Sequence, residues 1–112
     1  MANEQIATMK VLEAVIEASR EVRQVLRQGE TVYLRFLRRI EKGATVDEAF
    51  AGLGVPEFRR EITDHLKALE HARHETRRAI IAYGLSEGMS RGDLARYWGV
   101  SRQLVARTAK GE

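Results

Sequence analysis

The sequence predicts an all-α protein in which a long N-terminal helix or helical hairpin packs with a long central helix, followed by two short C-terminal helices. Three observations support this fold class. Apolar residues recur at alternating spacings of three and four over two long stretches, no stretch alternates apolar and polar residues, and no Asn-Gly or Asp-Gly hairpin turn occurs. With 112 residues, 44% of them hydrophobic, the chain fits one domain with a modest core.

The composition excludes several classes of protein. The chain has no cysteine, which excludes a disulfide framework and thiolate zinc sites. It has no run of about 18 apolar residues and no signal-peptide core at its start, so we expect a soluble protein of the cytoplasm. The net charge is +3, and most of the 19 basic residues are arginine, which suits contact with phosphate and guanine. Arginine-rich composition also follows from a GC-rich coding sequence, so the charge alone predicts no partner.

The first apolar stripe predicts the N-terminal helix. Its members alternate spacings of four and three: Val11, Val15, Ala18, Val22, Val25, Gly29, Val32 and Phe36. A second row widens it: Leu12, Ile16, Leu26, Tyr33, Leu37 and Ile40. So broad an apolar face is typical of a helix packed against others. Gly29 lies on the stripe, where it either divides the stretch into two helices or admits a closely packed neighbour beside one continuous helix.

Helix stop and start signals mark a short connector after this stretch. Gly43 is typical of a helix end, and Thr45 with Glu48 three residues later forms a capping box. The resulting helix is expected to end at the Gly52–Gly54 segment. Pro56 then suits the first turn of the next helix, because its backbone has no N–H to satisfy there.

The second stripe predicts a central helix of residues 56–84. Its members again alternate four and three: Phe58, Ile62, His65, Leu69, Ala72, Thr76, Ala79 and Tyr83. A helix of ~28 residues would be about 42 Å long, which is too long for a small domain to cover unless another helix runs beside it. The sequence therefore predicts a coiled-coil-like pairing of the two long helices: an antiparallel one within the chain, an intermolecular one, or both.

Two short helices joined by a tight turn are predicted at the C-terminal end. Ser90 with Asp93 forms a second capping box, and Gly99 supplies the positive φ of a turn. Ser101 then caps the last helix, which is expected to span about Arg102–Ala109.

The segment RGDLARYWGVSRQLVARTAK, residues 91–110, resembles the helix-turn-helix superfamily of DNA-binding proteins. It matches the family's twenty-residue pattern at the small Ala95, where the two helices touch, and at Gly99 in the turn. Its apolar residues match the buried positions: Leu94, Trp98, Val100 and Val105. Thr108 departs from the apolar residue often found there. The stretches TVDEAFAGLG and EGMSRGDLARYWGVSRQLVAR also resemble small actinobacterial helix-turn-helix regulators.

The resemblance implies a trihelical DNA-binding unit over residues 71–112, with residues 1–70 as a scaffold and dimerisation region. The end of the central helix is shared with this unit, and no residues follow Glu112 to form a wing. In such motifs the second helix enters the major groove. The outward residues expected to contact bases are Ser101, Arg102, Gln103, Ala106 and Arg107. Those expected to contact phosphates are Ser90, Arg91, Arg96 and Lys110.

These features predict a sequence-specific, dimeric DNA-binding protein of the nucleoid that regulates transcription and needs no cofactor. Its partners would be double-stranded DNA and a second copy of the chain, because one motif reads few base pairs and dimers bind half-sites ~34 Å apart. An architectural nucleoid-associated protein with low sequence preference is one alternative. A helical protein-interaction module, in which Arg102 and Arg107 merely solvate a surface, is another.

The other polar residues do not indicate a further functional site. His71 and His74 share a helix face beside Glu70 and Glu75, but two imidazoles without a thiol are too few ligands, and we expect no metal. His65 is predicted to be a packed core histidine. No nucleophile–base pair or phosphate-cradling loop occurs, so no enzyme activity is expected. The arginine pairs are predicted to be solvated faces rather than flanks for DNA: Arg38–Arg39, Arg59–Arg60 and Arg77–Arg78.

Overall fold

The computed structural model describes residues 2–111, and it contains five helices and no strand within that range. Their bounds are α1 Asn3–Glu41, α2 Val46–Phe50, α3 Val55–Ser86, α4 Arg91–Trp98 and α5 Arg102–Ala109. The all-α prediction, with a long N-terminal and a long central helix, is confirmed. The central helix is two residues longer at its C-terminal end than predicted. Glu112, on which the expectation of no wing depended, lies outside the described residues.

The described residues form two compact units, each with a section of α1 paired with a section of α3. The connector unit is Glu17–Leu69, and it includes α2. The terminal unit combines the start of α1, as far as Ile16, with the chain from Glu70 onward. It therefore contains the end of α3 together with α4 and α5.

In the connector unit, α1 runs through Gly29 without a break. Gly29 is buried, and a Cβ atom placed on it would overlap the ring of Phe58. The phenyl ring of Phe58 is only 7% exposed, and its edge also meets Tyr33, with ring centroids 5.7 Å apart. Of the two alternatives for Gly29, the structure therefore has one continuous helix with a side chain packed closely on the glycine.

The two long helices of the connector unit are antiparallel. Phe58, early in α3, packs on Gly29, whereas the later His65 lies beside the earlier Glu21, with Nδ1 and Oε2 3.8 Å apart. The prediction that His65 is a packed core histidine is wrong, because its side chain is 31% exposed. It lies at the edge of the seam, the contact between α1 and α3, where the Glu21 carboxylate of α1 reaches it.

Both ends of α2 are capped, one of them by a residue distant in sequence. The predicted capping box is confirmed at the start, where Thr45 Oγ1 accepts from Glu48 N and Glu48 Oε1 accepts from Thr45 N. Beyond its end, Arg39 Nη1 donates to the carbonyls of Ala51 at 2.6 Å and Ala49 at 3.1 Å. Arg39 is therefore not part of a solvated face as predicted, because its guanidinium satisfies the free carbonyls of a helix C-terminus.

In the terminal unit, two buried threonines lie in the seam between the start of α1 and the end of α3. Thr8 and Thr76 are 6% and 5% exposed, and each hydroxyl donates to the carbonyl four residues earlier at 2.7 Å. Their oxygens also lie 3.4 Å from carbonyls across the seam, Thr8 from Ala79 and Thr76 from Val11. The order of these contacts is antiparallel, and the intrachain pairing predicted from the stripes is present in this unit too.

Replacing Gly29 tests the close packing on α1. Alanine favours a helix over glycine by about 1 kcal/mol, but the added methyl must displace the buried Phe58 ring, and overpacking costs about 1–3 kcal/mol. We expect Gly29→Ala to lower the free energy of unfolding, measured by urea denaturation. The control is Gly92→Ala in α4, where a Cβ would approach no atom closer than 3.6 Å. That variant should keep or slightly raise the stability, and equal losses in both would contradict the packing.

Candidate nucleic-acid interface

The last three helices of the terminal unit share one buried cluster. Its members are Ile81 of α3, Leu94 and Ala95 of α4 and Val105 of α5, with partly buried Leu85, Met89 and Val100 packed around them. Ile81 and Val105 are fully buried. Gly84 admits Leu94 to this cluster, because a Cβ on the glycine would lie 2.5 Å from Leu94 Cδ2. The cluster fixes which side of each short helix faces inward.

The start of α4 is capped by Ser90, whose Oγ accepts from Asp93 N at 3.0 Å. The predicted capping box is only half formed, since among the described residues no return hydrogen bond joins Asp93 to the Ser90 backbone. Asp93 instead pairs with Arg96, with Oδ1 and Nη2 3.2 Å apart. Aspartate is one methylene shorter than the glutamate that completes such boxes, which accounts for the difference.

The turn between α4 and α5 depends on Gly99. Its φ of 76° lies in the left-handed region, which glycine adopts without steric cost. The N–H groups of Gly99 and Val100 both donate to the carbonyl of Ala95, at 2.9 and 3.0 Å, and so close the end of α4. Ser101 Oγ then accepts from Leu104 N at 3.0 Å and caps α5. The predicted turn glycine and both serine caps are confirmed.

The inward face of α5 is formed by Val105 and Thr108, which are 0% and 4% exposed. Thr108 is the residue that departs from the pattern of the resemblance, and its hydroxyl donates to the Leu104 carbonyl at 2.8 Å. The hydroxyl group is therefore buried with its hydrogen bond made, so the polar residue does not disrupt the packing.

The opposite face of α5 is open to solvent. Ser101, Arg102, Gln103 and Arg107 are exposed, and Ala106 is half-buried between them. The four residues predicted to contact phosphate are exposed as well: Ser90, Arg91, Arg96 and Lys110. All nine residues predicted for DNA contact therefore belong to the same unit. The sequence from Ser90 to Lys110 holds one acid, Asp93, against five bases, so this surface is positively charged.

The arginines of this surface differ in their partners. Arg96 pairs with Asp93, and its guanidinium carbon lies 5.2 Å from the centroid of the Tyr97 ring. For Arg102 and Arg107, no carboxylate among residues 2–111 lies within ion-pairing distance. The side chain of Arg102 extends towards α4, and its Nε lies 3.6 Å from the position that a Cβ atom would occupy if Gly92 had one. The two α5 guanidinium groups therefore have donors free for a ligand.

Trp98 does not belong to the buried cluster. The sequence predicted a core position, but the residue is 38% exposed at the last turn of α4. Smaller side chains fill the cluster, and the indole lies outside it. It lines a cavity of about 280 Å³ together with residues of α1 and α3: Val15, Glu70, Arg73, His74 and Arg77. No sequence pattern indicated this cavity, because its walls come from three helices.

The part of the chain that the structure describes holds no group of three or more histidine, aspartate or glutamate side chains placed to hold a metal ion. His71 is exposed, and His74 Nδ1 lies 3.2 Å from Arg77 Nη2. The neighbouring acids pair with arginines three residues later, Glu70 with Arg73 and Glu75 with Arg78. Both pairs are therefore local ones, made at a spacing of three along the same helix.

Comparisons with protein-family models, with curated proteins and with solved structures give no significant match. None of the described helices combines the length and the apolar character that crossing a membrane requires. Function is therefore inferred from the geometry and charge of the chain itself.

Ser101 offers a test of how α5 is held. Ser101→Ala removes the oxygen that accepts from Leu104 N and should lower the free energy of unfolding by about 1 kcal/mol. Ser101→Asp restores an acceptor at the same position, so its stability in urea should match that of the unaltered protein. An alanine variant as stable as the aspartate variant would contradict the cap.

Proposed function

We propose that the chain is a sequence-specific, dimeric DNA-binding protein that regulates transcription and has no enzyme activity. In this proposal α4 and α5 form a helix-turn-helix without a wing, α5 reads the major groove, and the protein acts at the nucleoid. The observation that carries the proposal is the exposed row of Arg102, Gln103 and Arg107, opposite the buried Val105 and Thr108.

The geometry of α4 and α5 supports a recognition helix. Two helices of eight residues are joined by a three-residue turn with a left-handed Gly99, and the small Ala95 is buried where they pack. In helix-turn-helix docking the N-terminal part of the second helix meets base edges. Arg102 and Arg107 would donate to guanine O6 and N7, and Gln103 would pair with adenine N6 and N7. The small Ala106 would let α5 approach the bases closely.

The start of α4 suits phosphate contact. Ser90 and Arg91 are exposed beside the first N–H groups of the helix, which attract anions. Arg96 and Lys110 add positive charge on the same unit. The exposed ion pair of Arg96 with Asp93 contributes only about 0–1 kcal/mol, so a phosphate can compete for this guanidinium.

Exposed apolar residues on α1 of the connector unit support dimerisation through the long helices. Leu26, Tyr33 and Ile40 recur every seven residues on one helix face and are 44%, 61% and 41% exposed. Leu37, 51% exposed, lies beside them. An apolar row with a seven-residue repeat is typical of a helix that packs on another helix. A second copy is the partner that two half-sites on DNA require.

Removing the two arginines of α5 tests the recognition surface. The duplex for this test is first selected from a random pool by binding to the protein and sequencing. On that duplex Arg102→Ala with Arg107→Ala should lose roughly 2–6 kcal/mol, at least about 30-fold in Kd, because each bidentate arginine–guanine pair contributes ~1–3 kcal/mol. Binding is measured by fluorescence anisotropy at fixed salt, and on a scrambled duplex the loss should be much smaller.

The matched control removes the same charge elsewhere. Arg59→Ala with Arg60→Ala takes two exposed arginines from α3 and should change the affinity only a few-fold, through the overall charge. A folded α5 variant that binds the selected duplex as well as the unaltered protein would refute the recognition helix. If the pool yields no enriched sequence and binding falls steeply with salt, the architectural alternative holds instead.

The dimer surface has its own test. Leu37→Glu with Ile40→Glu places one charge in the exposed apolar row and one beside it, and we expect the variant to sediment as a monomer where the unaltered protein is a dimer. Gln24→Glu with Gln28→Glu adds the same charge to exposed positions of α1 outside the row and should leave the dimer intact. An unaltered protein that is monomeric at micromolar concentration would contradict dimerisation through this face.

A further inference from the structure

The terminal unit contains a cavity that DNA binding does not use. It is a half-open cavity of about 280 Å³ between Val15 of α1, the end of α3 and Trp98 of α4. This volume is just below the ~300–1,000 Å³ range of typical ligand pockets, so it suits a small molecule. None of the residues predicted to contact DNA lines it. Its chemistry therefore has to be explained separately.

Arg77 is the unusual group in this cavity. Its Nε is buried and has no hydrogen-bond partner in the part of the chain that the structure describes. Its Nη2 lies 3.2 Å from His74 Nδ1. A guanidinium group has donors only, so this contact requires Nδ1 to accept, and the ring proton of a neutral His74 is then on Nε2. The buried Nε is closed to solvent, so a ligand in the cavity would be bound by the terminal nitrogens of the Arg77 guanidinium, whose one hydrogen-bonding contact among the described residues is with His74.

The charge of the cavity specifies an anion. Its acid, Glu70, is already paired, with Oε2 3.0 Å from Arg73 Nη1. The neighbouring Arg78, which lines a different cavity, is paired with Glu75 at 3.3 Å. Across residues 2–111, no carboxylate lies within ion-pairing distance of Arg77. The cavity therefore carries one uncompensated positive charge on a planar group that binds carboxylates through two N–H donors.

The apolar part of the wall favours an aromatic ring. Trp98 is large, planar and 38% exposed, and Val15 adds an apolar side chain. Aromatic pairs stack with an offset or meet edge to face, and either arrangement covers the exposed indole. We propose that this cavity binds a small planar aromatic carboxylate, with its carboxylate on Arg77 and its ring against Trp98. This site is independent of the DNA-binding proposal, because no residue of α5 takes part.

The test uses the single tryptophan of the chain as its reporter. Benzoate and cinnamate are titrated into the protein without DNA, and binding is followed by Trp98 fluorescence and by calorimetry. Benzamide has the same ring without the charge, and inorganic phosphate has the charge without a ring. We expect saturable binding of at least one carboxylate, at least about tenfold tighter than benzamide or phosphate, with a change in tryptophan emission.

Variants of neighbouring arginines locate the ligand. Arg77→Gln should weaken carboxylate binding at least about tenfold, and Arg77→Lys, which keeps the charge but not the planar fork, should weaken it less. Arg78→Gln is the matched control and should bind as the unaltered protein does. Circular dichroism verifies that each variant is folded.

Several results would overturn the proposed site. These are the absence of saturable binding, equal affinity for benzoate and benzamide, equal losses in Arg77→Gln and Arg78→Gln, and phosphate binding as tight as that of the carboxylates. A change of oligomeric state in Arg77→Gln without carboxylate binding would assign the arginine to a contact between copies instead. None of these results depends on DNA, so each leaves the DNA-binding proposal to its own test.

Discussion

Burial of Val105 in one cluster with Ile81, Leu94 and Ala95 is the constraint on which the candidate interface depends. Full burial of an aliphatic side chain contributes about 1.5–3 kcal/mol. A rotation of α5 about its axis would expose Val105 and lose this free energy. With Val105 and Thr108 inward, Arg102, Gln103 and Arg107 must face solvent. The left-handed Gly99 and the cap at Ser101 set where that helix begins.

Features that depend on neighbouring residues in the chain were predictable from the sequence. The capping box at Thr45, the serine caps of α4 and α5, and the turn at Gly99 each follow from a few adjacent residues, and all are present. The spacing of three and four likewise predicted a long central helix and a helical N-terminal stretch, although it left open whether Gly29 divides that stretch in two. The antiparallel order within the chain was one of the alternatives that this spacing left open.

Features that depend on distant residues were not predictable. The sequence could not show that Phe58 packs on Gly29, that Arg39 caps α2, or that Trp98 lines a cavity rather than the core. In each case the side chain's role is set by a partner more than ten residues away. The half-formed capping box at Ser90 could have been predicted from the sequence. Asp93 is shorter than glutamate, so its residue type already indicated that its side chain would not reach back to the Ser90 backbone.

The arginines show why composition alone predicts little about function in this chain. Arg39 is engaged with backbone carbonyls, Arg73 and Arg78 are paired with glutamates, and Arg77 is half-buried beside a histidine. Arg102 and Arg107 differ from these because they are exposed and have no carboxylate partner in residues 2–111. Burial and partners thus separate structural arginines from available ones, although exposed arginines elsewhere, such as Arg23, Arg35 and Arg59, also have no carboxylate partner in residues 2–111. What distinguishes the α5 pair is its place on the outward face of a short helix that follows a tight turn, and the DNA-binding proposal rests on that placement.

The most direct measurement is an NMR titration of the isotope-labelled protein with a duplex that it selects from a random pool. Backbone amide shifts report which residues contact DNA without any substitution. The proposal predicts that the largest changes fall on Ser90–Arg91 and on Ser101–Arg107, with the inward Val105 changing less than its exposed neighbours. Changes confined to the connector unit, or spread evenly over the basic residues of the whole chain, would contradict it.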